Sequence, residues 1–430
     1  MSKILIETYG CTLNQADSGI MKTLLTLQGH EVTEGKYDSR KQDYDCVIVN
    51  TCTVKTPTEQ KILHRLKEAK EKGNKLIVTG CMASANKDII FKTVPNASLL
   101  STSNVSSIAY AVSEIEKGRQ VILDKYNSTD KMLFYGMGSA AGTIAKIPIS
   151  EGCLSSCSFC ETKYARGPLN SFSEELIIKA VQTCVNRGAK EIELTSQDTG
   201  AYGRDKKTNI AELVSKISDI EGDFKVRIGM LNPEHLNKYF DQLLDAYKSE
   251  KIYKFIHLPV QSGSNRVLRD MKRNYTIEEF EGYVKEIKEK VKGIGIETDV
   301  IVGYPTESSE DFEQSNDMLE RIKPMVTNIS KFGSRPHAIA SKLKQIGNLE
   351  MKKRSTEMAR KVRAMQKTER EKLIGSVQKA LITENNGTSL LGRNAGYMAI
   401  AVNGSHAKIG SYIDVKITGA TSACVIGNEV

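Results

Sequence analysis

Three thiols crowd into "EGCLSSCSFCETKYARG", residues 151 to 167, and no fourth joins them in that loop. A structural zinc site takes four protein ligands, and a fully ligated iron-sulfur cubane takes four thiolates. Cys153, Cys157 and Cys160 offer three. The next cysteine, Cys184, falls in "SEELIIKAVQTCVNRG" on one helical stripe with Leu176, Ile177, Ala180 and Val181, so it is expected to face the core. A cluster held by three thiolates keeps one iron open to an exogenous ligand, as a catalytic zinc keeps one position free. The alternative is a zinc site completed by a distant residue such as His257.

A second set of thiols is spread along the chain. Cys11, Cys52 and Cys81 each come directly after one of the apolar runs "ILIETYG", "CVIVNTC" and "LIVTGC". Open α/β sheets place their sites at the carboxyl ends of the strands, so these three are expected to converge. Cys46, Cys184 and Cys424 lie away from such ends and are read as structural.

The elements that must position these residues fall into three segments. From Lys3 to about Tyr110, short apolar runs, ending with "SLLSTS", alternate with helical patterns such as "PTEQKILHRLKEAKEKG", as an open parallel sheet requires. "YGMGSAAGTIAK" reads as a linker. Six further strands follow, "KIPIS", "EIELTS", "KVRIGM", "YKFIHLPV", "GIETDVIVG" and "MVTNISKF", and all but the last lead into a helix. Six strand-helix units predict a partial barrel, short of the eight of a full one, with its site at the carboxyl face. Met358, Val362 and Met365 then mark a helix, and β-branched runs broken by Gly and Asn from residue 371 onward predict a small β-barrel of a kind that binds nucleic acid. The fold class is α/β: an open parallel-sheet domain over 1–130, a partial (β/α)6 barrel over 145–370 and a β-barrel over 371–430.

Composition bounds the partners. The 430 residues are 40% hydrophobic and 26% charged, ordinary globular values, and no stretch is apolar enough to cross a bilayer. "MSKILIETYG" alternates like a strand and lacks a signal peptide's apolar region, so a cytoplasmic protein is expected. In a reducing compartment nine cysteines are better read as ligands, reactive thiols or core residues than as disulfides. The formal net charge is +9, and eleven Lys and Arg against four Glu lie between Lys342 and Lys372. That block suits a polyanion; the alternative is a solvated helix face.

CxxxCxxC with an aromatic, Phe159, before its last cysteine resembles the radical S-adenosylmethionine (SAM) superfamily. In that superfamily SAM chelates the open iron of a 4Fe-4S cluster. The resemblance implies further SAM contacts at Gln197 and Asp198 in "LTSQDTG" and at Gln261, Ser262 and Ser264 in "PVQSGS". In "DVIVGYPTE" it implies Ile301 against the adenine, with Gly303 allowing close approach.

"YGCTLNQADS", "NTCTVKTPTEQK" and "TGCMA" resemble the N-terminal domain of the methylthiotransferases, and the likeness then spans nearly the whole chain, including a C-terminal TRAM barrel. In that family Cys11, Cys52 and Cys81 would hold a second 4Fe-4S cluster carrying the sulfur to be donated. One SAM would methylate this sulfur, and another would be cleaved reductively to a 5′-deoxyadenosyl radical. An electron donor and a sulfur source are implied partners. "SFCETKYARG", "LTSQDTGAYGRD", "RIGMLNP" and "HLPVQSGSNRVLRDMKRNYT" are similar to the archaeal and eukaryotic branch acting on N6-threonylcarbamoyladenosine (t6A) at position 37 of tRNA. Isopentenyladenosine-37 tRNA, a ribosomal protein, or a non-catalytic role as an iron-sulfur or zinc RNA-binding protein are the other readings. Lys352, Lys353 and Arg354 are the expected tRNA contacts, and Arg335 is the candidate contact for a tRNA or threonylcarbamoyl anion, the alternative being an ordinary surface arginine. "KFGSRPHAIASKL" departs from the family's Ser-Pro-Arg-Pro-Gly-Thr at Gly333, Ser334 and His337.

Overall fold

The strands Glu31–Glu34, Lys3–Thr8, Cys46–Thr51, Lys75–Gly80, Ser98–Leu100 and Ile122–Leu123 lie side by side in that order, every pair parallel. This is a computed structural model, and it describes residues 1–37, 43–53, 56–127, 131–135 and 142–430. Helices cover both faces of the sheet, which is why its central strands are apolar at nearly every position rather than at alternate ones. Leu5, Val47, Val49 and Val78 pack on one face against Ile62 and Leu66. Ile4, Ile6, Ile48 and Ile77 pack on the other against Met21, Leu25 and Val112. Each of these fully buried aliphatic side chains is worth roughly 1.5–3 kcal/mol of transfer free energy. The two outermost strands carry little sequence signal, since Glu31–Glu34 is largely polar and Ile122–Leu123 has only two residues.

The second segment forms two three-stranded parallel sheets. Ile144–Pro148, Glu191–Thr195 and Lys225–Ile228 make the first, and Phe255–His257, Gly295–Val302 and Val326–Lys331 the second. A parallel bridge between Val226 and Ile252 joins them, so six strands curve into an open partial barrel with the expected strand count. Of the stretch read as a linker, residues 136–141 lie outside the described residues.

A helix of 24 residues, Asn348–Glu371, packs against the last strand of the partial barrel, Val326–Lys331, and is about 36 Å long at 1.5 Å per residue. It buries Met351, Met358 and Val362 on one stripe. It leads into a closed five-stranded barrel, ordered Val377–Asn385, Leu390–Arg393, Ala399–Asn403, Val425–Glu429 and Tyr412–Ala420 around an apolar centre that includes Ile382, Ile400 and Val415. Tyr397 pins this barrel to the partial barrel by donating its hydroxyl to Glu191 and Glu193, 3.0 Å from each. No helix among the described residues is long and apolar enough to cross a membrane.

Candidate functional site

Cys11, Cys52 and Cys81 stand at the carboxyl ends of three adjacent strands. Cys11 caps the helix Thr12–Leu27, and Cys81 opens the helix Cys81–Ala85. Side-chain amides and hydroxyls fix these strand ends to one another. Asn14 Nδ2 donates to Asn50 Oδ1 and to the Thr51 carbonyl, both at 2.9 Å, and Asn50 Nδ2 returns a bond to the Asn14 carbonyl at 2.8 Å. The Thr51 hydroxyl donates to the Thr79 carbonyl at 2.5 Å and accepts from the Met82 N–H at 3.1 Å. Burial, partly offset by Arg166, pushes the Cys81 thiol up to about 11, and Cys11 and Cys52 each add to the rise. The adjacent parallel strands thus bring all three cysteines to one edge of the sheet, and Cys81 feels the charge of both others.

The second triad occupies a loop closed by a two-residue antiparallel ribbon, Ser150–Glu151 with Asn170–Ser171. Gly152 lies at φ +77°, and a Cβ there would come within 1.9 Å of the Pro168 carbonyl oxygen, so only glycine lets the loop close before Cys153. The Cys160 N–H donates to the Cys157 carbonyl at 3.2 Å, and the Thr162 N–H to Cys160 Sγ at 3.3 Å. Arg273 Nη1 reaches Cys157 Sγ at 3.5 Å. Burial pushes the Cys153 thiol up to about 12, with contributions from Asp198, Cys160 and Cys157. Burial raises Cys46 to about 12 and Cys184 to about 11 as well, so a raised thiol does not mark a ligand. No three His, Cys, Asp or Glu side chains among the described residues converge tightly enough for a single metal ion. His257 instead lies between Glu297 at 3.6 Å and Asp299 at 3.2 Å.

A buried ionic junction joins the two triads. Arg166 ends the short helix Thr162–Arg166 that leaves the second loop, and its side chain is fully buried. Nε donates to Cys81 Sγ at 3.3 Å, Nη1 to Glu151 at 3.0 Å, and Nη2 to Asn14 at 3.2 Å and Asp17 at 2.9 Å. Lys131 completes the set, 3.1 Å from Asp17 and 2.8 Å from Glu151. Two cations thus face two carboxylates away from water. Ala165 packs with Cys81 and Ala85, and the Thr102 hydroxyl donates to the Ala165 carbonyl at 3.1 Å. Sequence reading passed over Asn14, Asp17, Asn50, Glu151 and Arg166, although all lie within or beside the quoted cysteine motifs. A polar residue near a cysteine gives no sign of which distant segment it will meet.

The residues expected around SAM line the carboxyl side of the partial barrel. Gln197 has a buried Oε1 with no hydrogen-bond partner, a free acceptor suited to an ammonium donor. Asp198 accepts from the Gly200 and Asn232 N–H groups, each at 3.0 Å, and faces His235 Nε2 at 3.3 Å. Phe159 and Ile301 pack in one apolar cluster with Tyr304 and Phe332. Gln261 sits at φ 75°, where its carbonyl accepts from the Ile301 N–H at 2.9 Å. Three positions carry internal work. Ser264 caps the helix Asn265–Asp270 and donates to Asp311 at 2.5 Å, while Ser262 lies 3.5 Å from Ser315. The space beside Gly303 is filled by Met351, whose Cγ lies 2.4 Å from where a Cβ would stand.

The cationic contacts divide. Lys352 and Lys353 are exposed on the long helix, as are Arg360 and Arg363. Arg354 differs from the expectation, being buried and held by Glu307 and Glu350 at 2.8 Å each, because its position follows the apolar stripe inward. Arg335 is buried too, with Nη1 2.8 Å from Glu59 of the first segment. In the same divergent stretch His337 stacks on Tyr164, ring centroids 3.7 Å apart and planes 8° from parallel, and contacts the Ala85 carbonyl at 2.9 Å.

The sequence profile of the radical SAM superfamily matches residues 147–319, and one described as "Uncharacterized protein family UPF0004" matches residues 3–101. The fold is similar to that of the radical S-adenosylmethionine methyltransferase TsrM from Kitasatospora setae, with TM-score 0.58 and 13% identity over 79% of this chain and 77% of that one. Another likeness, to the cobalamin-dependent radical enzyme OxsB, has TM-score 0.54 and 13% identity over 84% of this chain and 56% of that one. A partial barrel entered through a CxxxCxxC loop, matched by this profile, is a radical SAM protein, a class that uses SAM and a 4Fe-4S cluster.

Over its full length the chain is 40% identical to a Pyrococcus horikoshii protein named "Probable threonylcarbamoyladenosine tRNA methylthiotransferase", covering 100% of both. It is 39% identical to an Archaeoglobus fulgidus protein of the same name, over 99% of this chain and 98% of that one. It is 32% identical to the human threonylcarbamoyladenosine tRNA methylthiotransferase, over 97% of this chain and 72% of that one. The chain belongs to the threonylcarbamoyladenosine tRNA methylthiotransferase family.

Proposed function

We propose that this enzyme converts t6A at position 37 of tRNA to its 2-methylthio derivative, using two 4Fe-4S clusters. Cys153, Cys157 and Cys160 would hold one cluster, and Cys11, Cys52 and Cys81 the other. The observation that carries the reading is the contact between the two triads: Arg166, six residues beyond Cys160, donates to Cys81 Sγ at 3.3 Å. When bound, the clusters and SAM supply the sulfur, the methyl group and the hydrogen-abstracting radical, and the protein positions and shields them. The donor sets suit this role, since each is three cysteines on one strand-end edge or one loop, and three thiolates would leave one iron of a cubane without a protein ligand.

The chain's own residues bind and orient. The unpartnered Gln197 Oε1 and the carboxylate of Asp198 would hold the SAM ammonium, with Phe159 and Ile301 as apolar walls. The Gln261 backbone at φ 75° shapes the strand end beside them. Lys352 and Lys353 would meet phosphate, where neutralisation supplies most non-specific affinity. An unpaired anticodon-loop base can be splayed out, and reaching its C2 requires flipping it into the site. A one-electron donor and a sulfur source complete the partners, and the cytoplasm, where tRNA is handled, is the proposed location.

Nucleoside mass spectrometry of tRNA from cells lacking the protein tests this. Loss of 2-methylthio-t6A with t6A retained is the expected result. Unchanged 2-methylthio-t6A, or loss of a methylthio group from isopentenyladenosine or a ribosomal protein instead, would assign another substrate.

A further inference from the structure

One five-residue helix touches a thiol of each triad. At the start of Thr162–Arg166, the Thr162 N–H donates to Cys160 Sγ at 3.3 Å; at its end, Arg166 Nε donates to Cys81 Sγ at the same distance. We propose that Arg166 is a positioning residue that couples the two centres: its guanidinium raises the reduction potential of the cluster held by Cys11, Cys52 and Cys81 and fixes that cluster's place relative to the SAM loop. The inference rests on the reading that Cys81 is a cluster ligand.

Hydrogen bonds to cluster sulfurs and nearby charge are among the levers that set an iron-sulfur potential. A donor on Cys81 Sγ stabilises the extra negative charge of the reduced state more than the oxidised one, so it shifts the couple upward. The guanidinium has little freedom to do otherwise. Both of its terminal nitrogens are held, Nη1 by Glu151 and Nη2 by Asn14 and Asp17, so Nε stays aimed at the sulfur. Glu151 precedes the SAM loop, while Asn14 and Asp17 follow Cys11 on the helix Thr12–Leu27. The same cation therefore ties the element bearing Cys11 to the element leaving Cys160. Lysine could supply the charge but not this planar fork of donors.

The test uses the full chain in the Cys157→Ala background, which retains only the N-terminal triad intact. Arg166→Gln is combined there with Asp17→Asn, so that Lys131 and Glu151 remain a balanced buried pair and the sulfur loses its donor. Redox titration followed by electron paramagnetic resonance should show that cluster's potential move negative by a tenfold or greater change in the one-electron equilibrium, about 59 mV. The same double substitution in a Cys52→Ala background should leave the loop cluster's potential in place. A second measurement needs no change at Arg166: in Cys157→Ala protein labelled with 15N-arginine, pulsed resonance on the reduced cluster should detect an arginine nitrogen. An unmoved potential with the cluster present, equal shifts at both clusters, or no arginine coupling would overturn the proposal. Absence of any cluster from Cys157→Ala protein with Arg166 intact would instead overturn the ligand reading on which it rests.

Discussion

At the scale of single residues, the two triads are chemically alike and separable by substitution. Cys157→Ala removes one of three thiolates from the SAM loop and should abolish reductive SAM cleavage while N-terminal iron remains; cleavage is read as 5′-deoxyadenosine by chromatography. Cys52→Ala should stop methylthio transfer and still permit SAM cleavage, because the loop cluster keeps all three of its ligands. Glu151→Gln belongs to this scale too. It leaves Arg166 and Lys131 facing Asp17 alone, an uncompensated buried charge, and breaking such a set costs about 3–5 kcal/mol. A lowered urea midpoint in the variant would register it, and an unchanged midpoint would show that the junction relaxes or hydrates.

Among the elements, the decisive one is the ribbon that closes the SAM loop. Its two strands bring the Gly152 backbone so near Pro168 that a methyl group cannot enter without opening the ribbon. Gly152→Ala should therefore lose the loop cluster and keep the other, so that anaerobic iron analysis falls to about half if each triad holds one four-iron cluster. Full iron content would contradict the closure argument. The long helix makes a second case. Its apolar stripe and the Arg354–Glu307 pair turn one face inward and leave Lys352 and Lys353 outside. Hydrophobic spacing gave away the helix, but the motif "KKR" gives no hint that its third cation is internal.

For the whole molecule, the long helix presents an exposed cationic face that includes Lys352, Lys353, Arg360 and Arg363. Replacing Lys352 and Lys353 by Ala should flatten the dependence of log K on log salt for an anticodon stem-loop by roughly 0.7–0.9 for each phosphate no longer neutralised. Arg354→Ala should instead lower stability through the stranded Glu307 and leave that slope unchanged. Filter binding across a salt series separates the two, and an unaltered slope in the lysine variant would make the helix a solvated face.

The succession of strands and helices, the count of six in the partial barrel, the small terminal barrel and the two sets of three cysteines were legible in the sequence, because apolar periodicity and turn residues are local signals. So was the placing of Cys11, Cys52 and Cys81 along one edge, since strand ends of a parallel sheet lie together. Tertiary structure alone decided which charges are spent internally. Arg335 lies 276 positions from Glu59, and Arg166 lies 85 positions from Cys81. A guanidinium in a sequence carries no mark of the carboxylate or thiol it will meet, because that partner is chosen only when separate segments pack and water is excluded between them.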